Sequence, residues 1–307
     1  MSDERRPPAP GAGPVATAAA WMAGALLSFM AMAVGGRELA GELSTFQILF
    51  FRSLVGLAVI GLLLWRAGWR LARTARLGLH LVRNLAHFGG QFGWFLGLGY
   101  IPLAEVFAIE FTTPIWTAIW AALLLRERLT GPRLAAIALG VAGLLLILRP
   151  GLQSVHPAAL AVLAGAVGYA LSHTLTRRLA LADAPLTILF FMTVIQLPLG
   201  LIPSLPSWRW PAAELWPWLV VVGLTALSAH YCMARALALA DATVVVPLDF
   251  LRLPLIAVVG ALFYGEPLAP LVLAGAALML LGNWVNLRAE GRRRAHPRPS
   301  AEAPALE

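Results

Sequence analysis

The sequence predicts an all-α integral membrane protein of about ten transmembrane helices, arranged as two inverted five-helix repeats. Three observations carry this reading. Of the 307 residues, 60% are hydrophobic and 12% charged, with mean hydropathy +0.79; a soluble domain is roughly 25% charged. Apolar runs of about 20 residues, enough to cross ~30 Å of hydrocarbon, recur along the whole chain. And segments of the first half reappear in the second at offsets of 139 to 141 residues.

In order, the runs fall at 17–36, 44–65, 79–100, 103–125, 132–149, 157–177, 185–205, 214–238, 242–263 and 269–287. In lipid each must be helical, because unpaired backbone groups are too costly there. Residues 1–16 and 289–307, rich in Pro, Ala, Arg and Glu, read as disordered cytoplasmic tails. This leaves 17–150 and 156–288 as the two repeats. The AMA at 31–33 resembles a signal cleavage site. It reads as uncleaved, since the polar leader is long and losing the first helix would break the repeat.

The formal charge is +8, and all the basic residues are Arg. A basic balance also marks nucleic-acid binders, but here position argues against nucleic acid. Arg66, Arg70, Arg73, Arg76, Arg126, Arg128, Arg133, Arg177, Arg178, Arg288 and Arg292 to Arg294 lie beside every second turn of the serpentine. The other turns carry only Arg37, Arg149 and Arg209. This positive-inside pattern puts both termini in the cytoplasm and the chain in the cytoplasmic (inner) membrane. Cys232 is the only cysteine, so neither a disulfide framework nor a Cys-based metal site is expected. No cofactor is implied.

The repeat is clearest where 109–148 aligns with 248–285: Glu127 falls on Glu266, Leu129 on Leu268 and Gly143 on Gly282. ILFF at 48–51 recurs at 188–191, Gly24 falls on Gly165, and Arg37 on Arg178. Five spans per half is an odd number, so the halves are inverted in the membrane. Such repeats characterise secondary transporters, with the substrate site between the halves near the midplane.

These residues carry a family resemblance. FFR at 50–52, LLLRERLTGPR…GVAGLLLILRPG at 123–151, GYALSHTLTRRLA at 168–180 and VVVPLDFLRLPLIAVVGALFYGEPL at 244–268 are similar, in that order, to the EamA-type branch of the drug/metabolite transporter superfamily. The resemblance covers about 17–288. It implies ten helices around a central cavity, the fifth and tenth packing away from it, and movement of a small metabolite.

A charge at the bilayer centre costs ~2.5–3.5 kcal/mol on insertion scales, so intramembrane charges mark candidate sites. Glu110 and Asp249 occupy matched positions in the fourth and ninth spans. Inversion sets Glu110 nearer the outside and Asp249 nearer the cytoplasm. Arg252, three residues from Asp249 on the same helix face, has Thr113 as its repeat mate. Two readings stand. The pair is self-neutralising and fixes helix register, or Arg252 presents a fork to an anionic group while Asp249 takes a cation or proton. Glu110 and Asp249 are also the candidate proton carriers, and Glu110, with no Arg within its own helical turn, is the better of the two.

Pro114, Pro247 and Pro254 interrupt these spans and free carbonyls for a cation, or simply kink helices for packing. Arg52, in the second span, serves the cavity or pairs with Glu110; pairing is the favoured reading. Gln91 falls on His230 in the repeat, so both are candidates to line the cavity. His173 joins them, with Trp94 and Tyr169 as platforms for a flat ligand. His87 and Trp116 are weaker candidates. Each of these residues is also an ordinary packing residue in many helical bundles. Glu127 and Glu266, at helix ends, read as structural: each caps the start of the next helix or pairs with a nearby Arg. Trp208, Trp210, Trp216 and Trp218 read as an interfacial belt.

No metalloprotease, Ser/His or paired-Asp constellation and no phosphate-cradling loop is present in the sequence, so an enzyme and direct use of ATP are disfavoured. The reading is a secondary transporter for an amphoteric or aromatic metabolite, working by alternating access with proton coupling. A lipid-type flippase or a membrane subunit of a larger complex is the alternative. The partners are a small-molecule substrate and the lipid bilayer; a homodimer is compatible with the pattern.

Overall fold

The structure, a computed structural model, describes residues 12–126, 130–149, 154–240, 245 and 248–295. Among them there is no β-strand. The helices are α1 (Ala12–Ala40), α2 (Thr45–Ala67), α3 (Leu77–Tyr100), α4 (Leu103–Glu110), α5 (Thr113–Leu125), α6 (Gly131–Leu148), α7 (Pro157–Leu179), α8 (Pro185–Ser204), α9 (Trp216–Leu239), α10 (Arg252–Tyr264) and α11 (Pro270–Ala295). The first helix thus begins, and the last ends, inside the segments expected as tails. Residues 1–11 and 296–307, with Glu127, Arg128 and Pro247, lie outside the described residues.

Eight of the described helical segments are long and apolar enough to span a bilayer, α4 and α5 together forming one of them. The other two expected spans differ for physical reasons. Helix α3 is 24 residues long, but it buries His80, Arg83, Asn84, His87 and Gln91, and these dilute its apolar character. The ninth span is broken: Leu248 and Asp249 are helical, Phe250 and Leu251 form a turn, and α10 restarts at Arg252. Its mate breaks at the matched place, Phe111 and Thr112, between α4 and α5.

The largest helix contacts run between the halves and follow a pseudo-two-fold relation. Helix α1 packs on α9 and α3 on α7; α2 packs on α8 and α6 on α11. Glycines set two of these crossings. A Cβ on Gly93 of α3 would sit 2.1 Å from the Ala161 carbonyl oxygen of α7. Gly143 of α6 and Gly275 of α11 approach reciprocally, each placing the other's carbonyl oxygen within 2.6 Å of an added Cβ. Both contacts are with backbone, so no side-chain rotation relieves them and only Gly allows the approach.

One end of the bundle carries Ala12 and Ala295; the far end carries the turns after α1, α3 and α10. There Glu266 makes the tie that joins the halves. One carboxylate oxygen accepts from the Leu103 N–H at the start of α4 (2.8 Å), and the other pairs with Arg37 of α1 (2.6 Å). Arg37 also donates to the carbonyls of Leu98 and Ile101, capping the end of α3. The expected capping role of Glu266 therefore has a different recipient: a helix of the other repeat rather than the next helix in sequence. Beside it, the Tyr264 hydroxyl donates to Glu38 at 2.7 Å. The expected role of Glu127 falls outside the described residues.

Glu266→Gln keeps the shape and loses the charge on both bonds. Charge-assisted hydrogen bonds contribute about 1.5–3 kcal/mol each. We expect thermal unfolding in detergent to shift down by several degrees, while flux per folded molecule stays within about twofold. Normal stability with abolished flux would assign Glu266 to the transport step.

Candidate functional site

Between the halves lies a cavity of about 510 Å³, within the ~300–1,000 Å³ range of small-molecule sites. It is built on the two helix breaks. Glu110 is the last residue of α4, held where the chain leaves helical geometry. Thr112, fully buried, stabilises the break: its hydroxyl donates to the Ile109 carbonyl (2.7 Å) and accepts from the Trp116 indole (3.1 Å). The rings of Phe111 and Phe250, one from each break, meet at 4.5 Å between centroids.

Against these rings the charges converge. Arg252 donates to Asp249 Oδ2 at 2.7 Å and lies 3.5 Å from Glu110 Oε1. The first is a short charge-assisted bond; the second is mainly a Coulomb contact at the limit of hydrogen-bond length. The guanidinium also sits 4.3 Å over the Phe29 ring, a cation–π placement. The other Glu110 oxygen accepts from the Trp94 indole at 2.8 Å. Asp249 Oδ1 is buried with no hydrogen-bond partner among the described residues. With every group ionised, two carboxylates against one guanidinium leave the cluster at −1.

The pairing of Arg52 with Glu110 expected from sequence is not what forms: Arg252 and Trp94 take the Glu110 carboxylate. Nor are the proline-freed carbonyls open to a cation. The Glu110 carbonyl accepts from the Thr113 hydroxyl (2.6 Å) and the Phe250 carbonyl from the Leu253 N–H (3.1 Å). Pro114 and Pro254 lie in the first turns of α5 and α10, where a missing N–H costs least. Pro247 lies outside the described residues.

Glu110, Asp249, Arg252, Gln91, His230, Trp94, Tyr169 and His173, the candidates read from sequence, all line this one cavity. His87 lines it too, whereas Trp116 does not. Tyr169 stacks near-parallel on His173 at 6.3 Å and meets His87 edge-on. The His87 Nδ1 faces two amide nitrogens, those of Gln91 and Gln196, each at 3.0 Å. His230 Nδ1 instead faces the Ala226 carbonyl at 2.8 Å and so carries its proton there.

Sequence reasoning missed a polar spine behind this wall. Gln196 of α8 donates to Asn84 (3.3 Å), Arg83 donates to Asn84 (2.8 Å) and Thr176 (3.1 Å), and His80 meets Asp183 at 2.9 Å. A signal was available, since residues 80, 84, 87 and 91 fall on one face of α3. Arg133, Arg177 and Asn286 line the cavity toward the end that bears the termini, so the fifth and tenth spans, α6 and α11, border it there rather than packing wholly away from it.

Removing one partner of a buried ionic cluster typically costs 3–5 kcal/mol, because it strands the others. Arg252→Met leaves two carboxylates facing each other across the helix breaks. Glu110→Gln leaves the Asp249–Arg252 pair whole. We expect Arg252→Met to lower thermal stability in detergent by far more than Glu110→Gln does. Equal losses would show that Arg252 does not hold the two carboxylates together.

Comparisons with known proteins agree with this architecture. The EamA-like transporter family matches residues 16–149 and again 156–288, one match per repeat. A riboflavin transporter of Vibrio cholerae is 31% identical over 212 residues, covering 68% of this chain and 71% of that one. A riboflavin transporter of Brucella anthropi is 30% identical over 76% of this chain and 84% of its own. An S-adenosylmethionine uptake transporter of Rickettsia felis is 24% identical, over 86% and 90% respectively. One crystal structure shares the fold, with a TM-score of 0.63 at 19% identity, covering 92% of this chain and 99% of that one.

Proposed function

Since the chain belongs to the EamA-like transporter family, we propose that it is a secondary active transporter for a small amphoteric or aromatic metabolite: an amino acid, an amino-acid derivative or a flat heterocycle. It works across the cytoplasmic membrane by alternating access, coupled to protons. The observation that carries this is the cluster at the helix breaks, where two carboxylates share one guanidinium inside a ligand-sized cavity. A cluster at −1 accepts one positive charge, from a proton or from the substrate. Glu110 and Asp249 take that charge; Arg252 keeps them in reach of each other. Trp94, Tyr169 and His173 offer flat faces, and Gln91 and His230 offer hydrogen bonds. Riboflavin is a flat heterocycle and S-adenosylmethionine an amino-acid derivative, so the names of the similar proteins fall within these classes.

The cycle follows from the inverted repeat. We take the end that bears the Glu266–Arg37 tie as the closed one, while the cavity reaches Arg133 and Arg177 at the other. The Arg pattern puts that second end, with both termini, in the cytoplasm. Rocking one half against the other would exchange the closed end, around a site fixed by the breaks.

The test is flux in proteoliposomes, with riboflavin and S-adenosylmethionine as probes and an imposed pH gradient. We expect gradient-driven flux of at least one probe by the parent. Glu110→Gln, which cannot take up a proton, should exchange substrate but ignore the gradient. Parent flux that is indifferent to the gradient would remove proton coupling. Flux no higher than in protein-free liposomes for both probes would remove the substrate classes.

A further inference from the structure

The two halves match in their carboxylates and differ in their cations. Glu110 and Asp249 are repeat mates, but Arg252 falls on Thr113 and Arg52 on Met192. These two arginines are in opposite circumstances. Arg252 is committed, with a carboxylate on either side. Arg52, on α2, is 7% exposed and lines the same cavity. Among the described residues no carboxylate lies within ion-pair distance of it, it makes no hydrogen bond, and its Nε is fully buried without a partner.

A guanidinium offers five N–H donors. Burying one unmatched is costly, whether or not its neighbours are polar. Small polar residues or a carboxylate could have matched it, as Thr176 and Asn84 match Arg83. Behind the cavity wall Arg52 also borders a small void of about 10 Å³ with Ser53, Met192, Thr193 and Gln196, none of which hydrogen-bonds it. The ligand-sized space open to it is the cavity.

Position supports the same conclusion. Arg52 lies seven residues into α2 from Thr45, and Glu110 seven residues into α4 from Leu103; both helices start at the far end. At 1.5 Å per residue each is about 10 Å from its helix start. The cavity thus has a positive pole on α2 and a net-negative pole at the helix breaks, with Arg52 and Glu110 at about one depth.

We propose that Arg52 is the seat of an oxyanion on the substrate, a carboxylate or phosphate, bound through its planar fork. Arg252 does not bind the anion; it holds the acidic pole together. The substrate lies between the poles, oxyanion toward α2, with its cationic or neutral end toward Glu110 and Asp249. This rests on the cavity's being the substrate site, and it replaces the role that sequence reasoning gave to Arg252. The Tyr169 hydroxyl, which makes no hydrogen bond among the described residues, borders the same space and supplies a further donor.

The test uses the full chain, purified in detergent, and three matched probe pairs: L-tryptophan with tryptamine, S-adenosylmethionine with its decarboxylated form, and riboflavin 5′-phosphate with riboflavin. Each pair differs by one oxyanion. Retention is measured by equilibrium dialysis and mass spectrometry. In at least one pair we expect the parent to prefer the anionic member by about tenfold or more, the scale of one charge-assisted hydrogen bond. Preference in the first two pairs identifies a carboxylate, and in the third a phosphate. Arg52→Gln should abolish the preference and Arg52→Lys should restore part of it. Equal retention within every pair, retention of no probe, or a preference that survives Arg52→Gln would each overturn the proposal. If Arg52→Gln aggregates, the parent's own discrimination and Arg52→Lys still decide. Proteoliposome flux of the retained probe separates the two readings. Selective retention without flux removes transport and keeps the anion seat, whereas flux indifferent to the oxyanion keeps transport and removes the seat.

Discussion

Hydrocarbon does not solvate charge, and the rest of this fold is arranged around that constraint at one guanidinium. Arg252 stands where two interrupted helices meet, and its charge is matched only because Asp249 comes from its own span and Glu110 from the span's repeat mate. At ~4 Å and an effective dielectric near 20, each such contact is worth about 4 kcal/mol before desolvation is subtracted. Neither half satisfies the cluster alone. The breaks at Phe111–Thr112 and Phe250–Leu251 are what bring the three groups to one point, and the two phenyl rings, tilted against each other, pack beside them.

Symmetry supplies the frame and asymmetry supplies the chemistry. The helix pairs related by the pseudo-two-fold, α1 on α9 and α3 on α7, make the walls. The cavity's character comes from positions where the duplicated halves have diverged: Arg252 against Thr113, Arg52 against Met192, His230 against Gln91. A duplicated scaffold can hold its helix contacts while single side chains change inside it. Fold and ligand preference are in this sense separable here, which is why family membership fixes the first and not the second.

Much of this was legible in the sequence, for identifiable reasons. Segment length and the offset between Glu127 and Glu266, or Glu110 and Asp249, are one-dimensional quantities, and they give the spans and the repeat directly. The Asp249–Arg252 contact is local, three residues apart, so helical spacing suffices to find it. What spacing cannot supply is competition between distant partners. Glu110 had two arginines to choose from, Arg52 and Arg252, and only the packing of α4 against α10 decides for Arg252. The recipient of the Glu266 cap was misassigned for the same reason, since Leu103 is 163 residues away in the chain. The proline carbonyls show the opposite limit: Thr113 is adjacent in sequence, but the hydroxyl's choice of the Glu110 carbonyl depends on a local turn.

The polar face of α3 has a bearing on how the chain is made. Helix by helix insertion sorts nascent segments by their own affinity for lipid. α3 does not qualify by itself, since His80, Arg83, Asn84 and His87 all require hydrogen-bonding company. That company arrives late. Thr176, Asp183 and Gln196 follow their α3 partners by 93, 103 and 112 residues. The first repeat by itself therefore lacks the groups that satisfy its own third helix. The two halves are joined by polar matching as well as by apolar packing, and neither sequence half is a self-sufficient bundle.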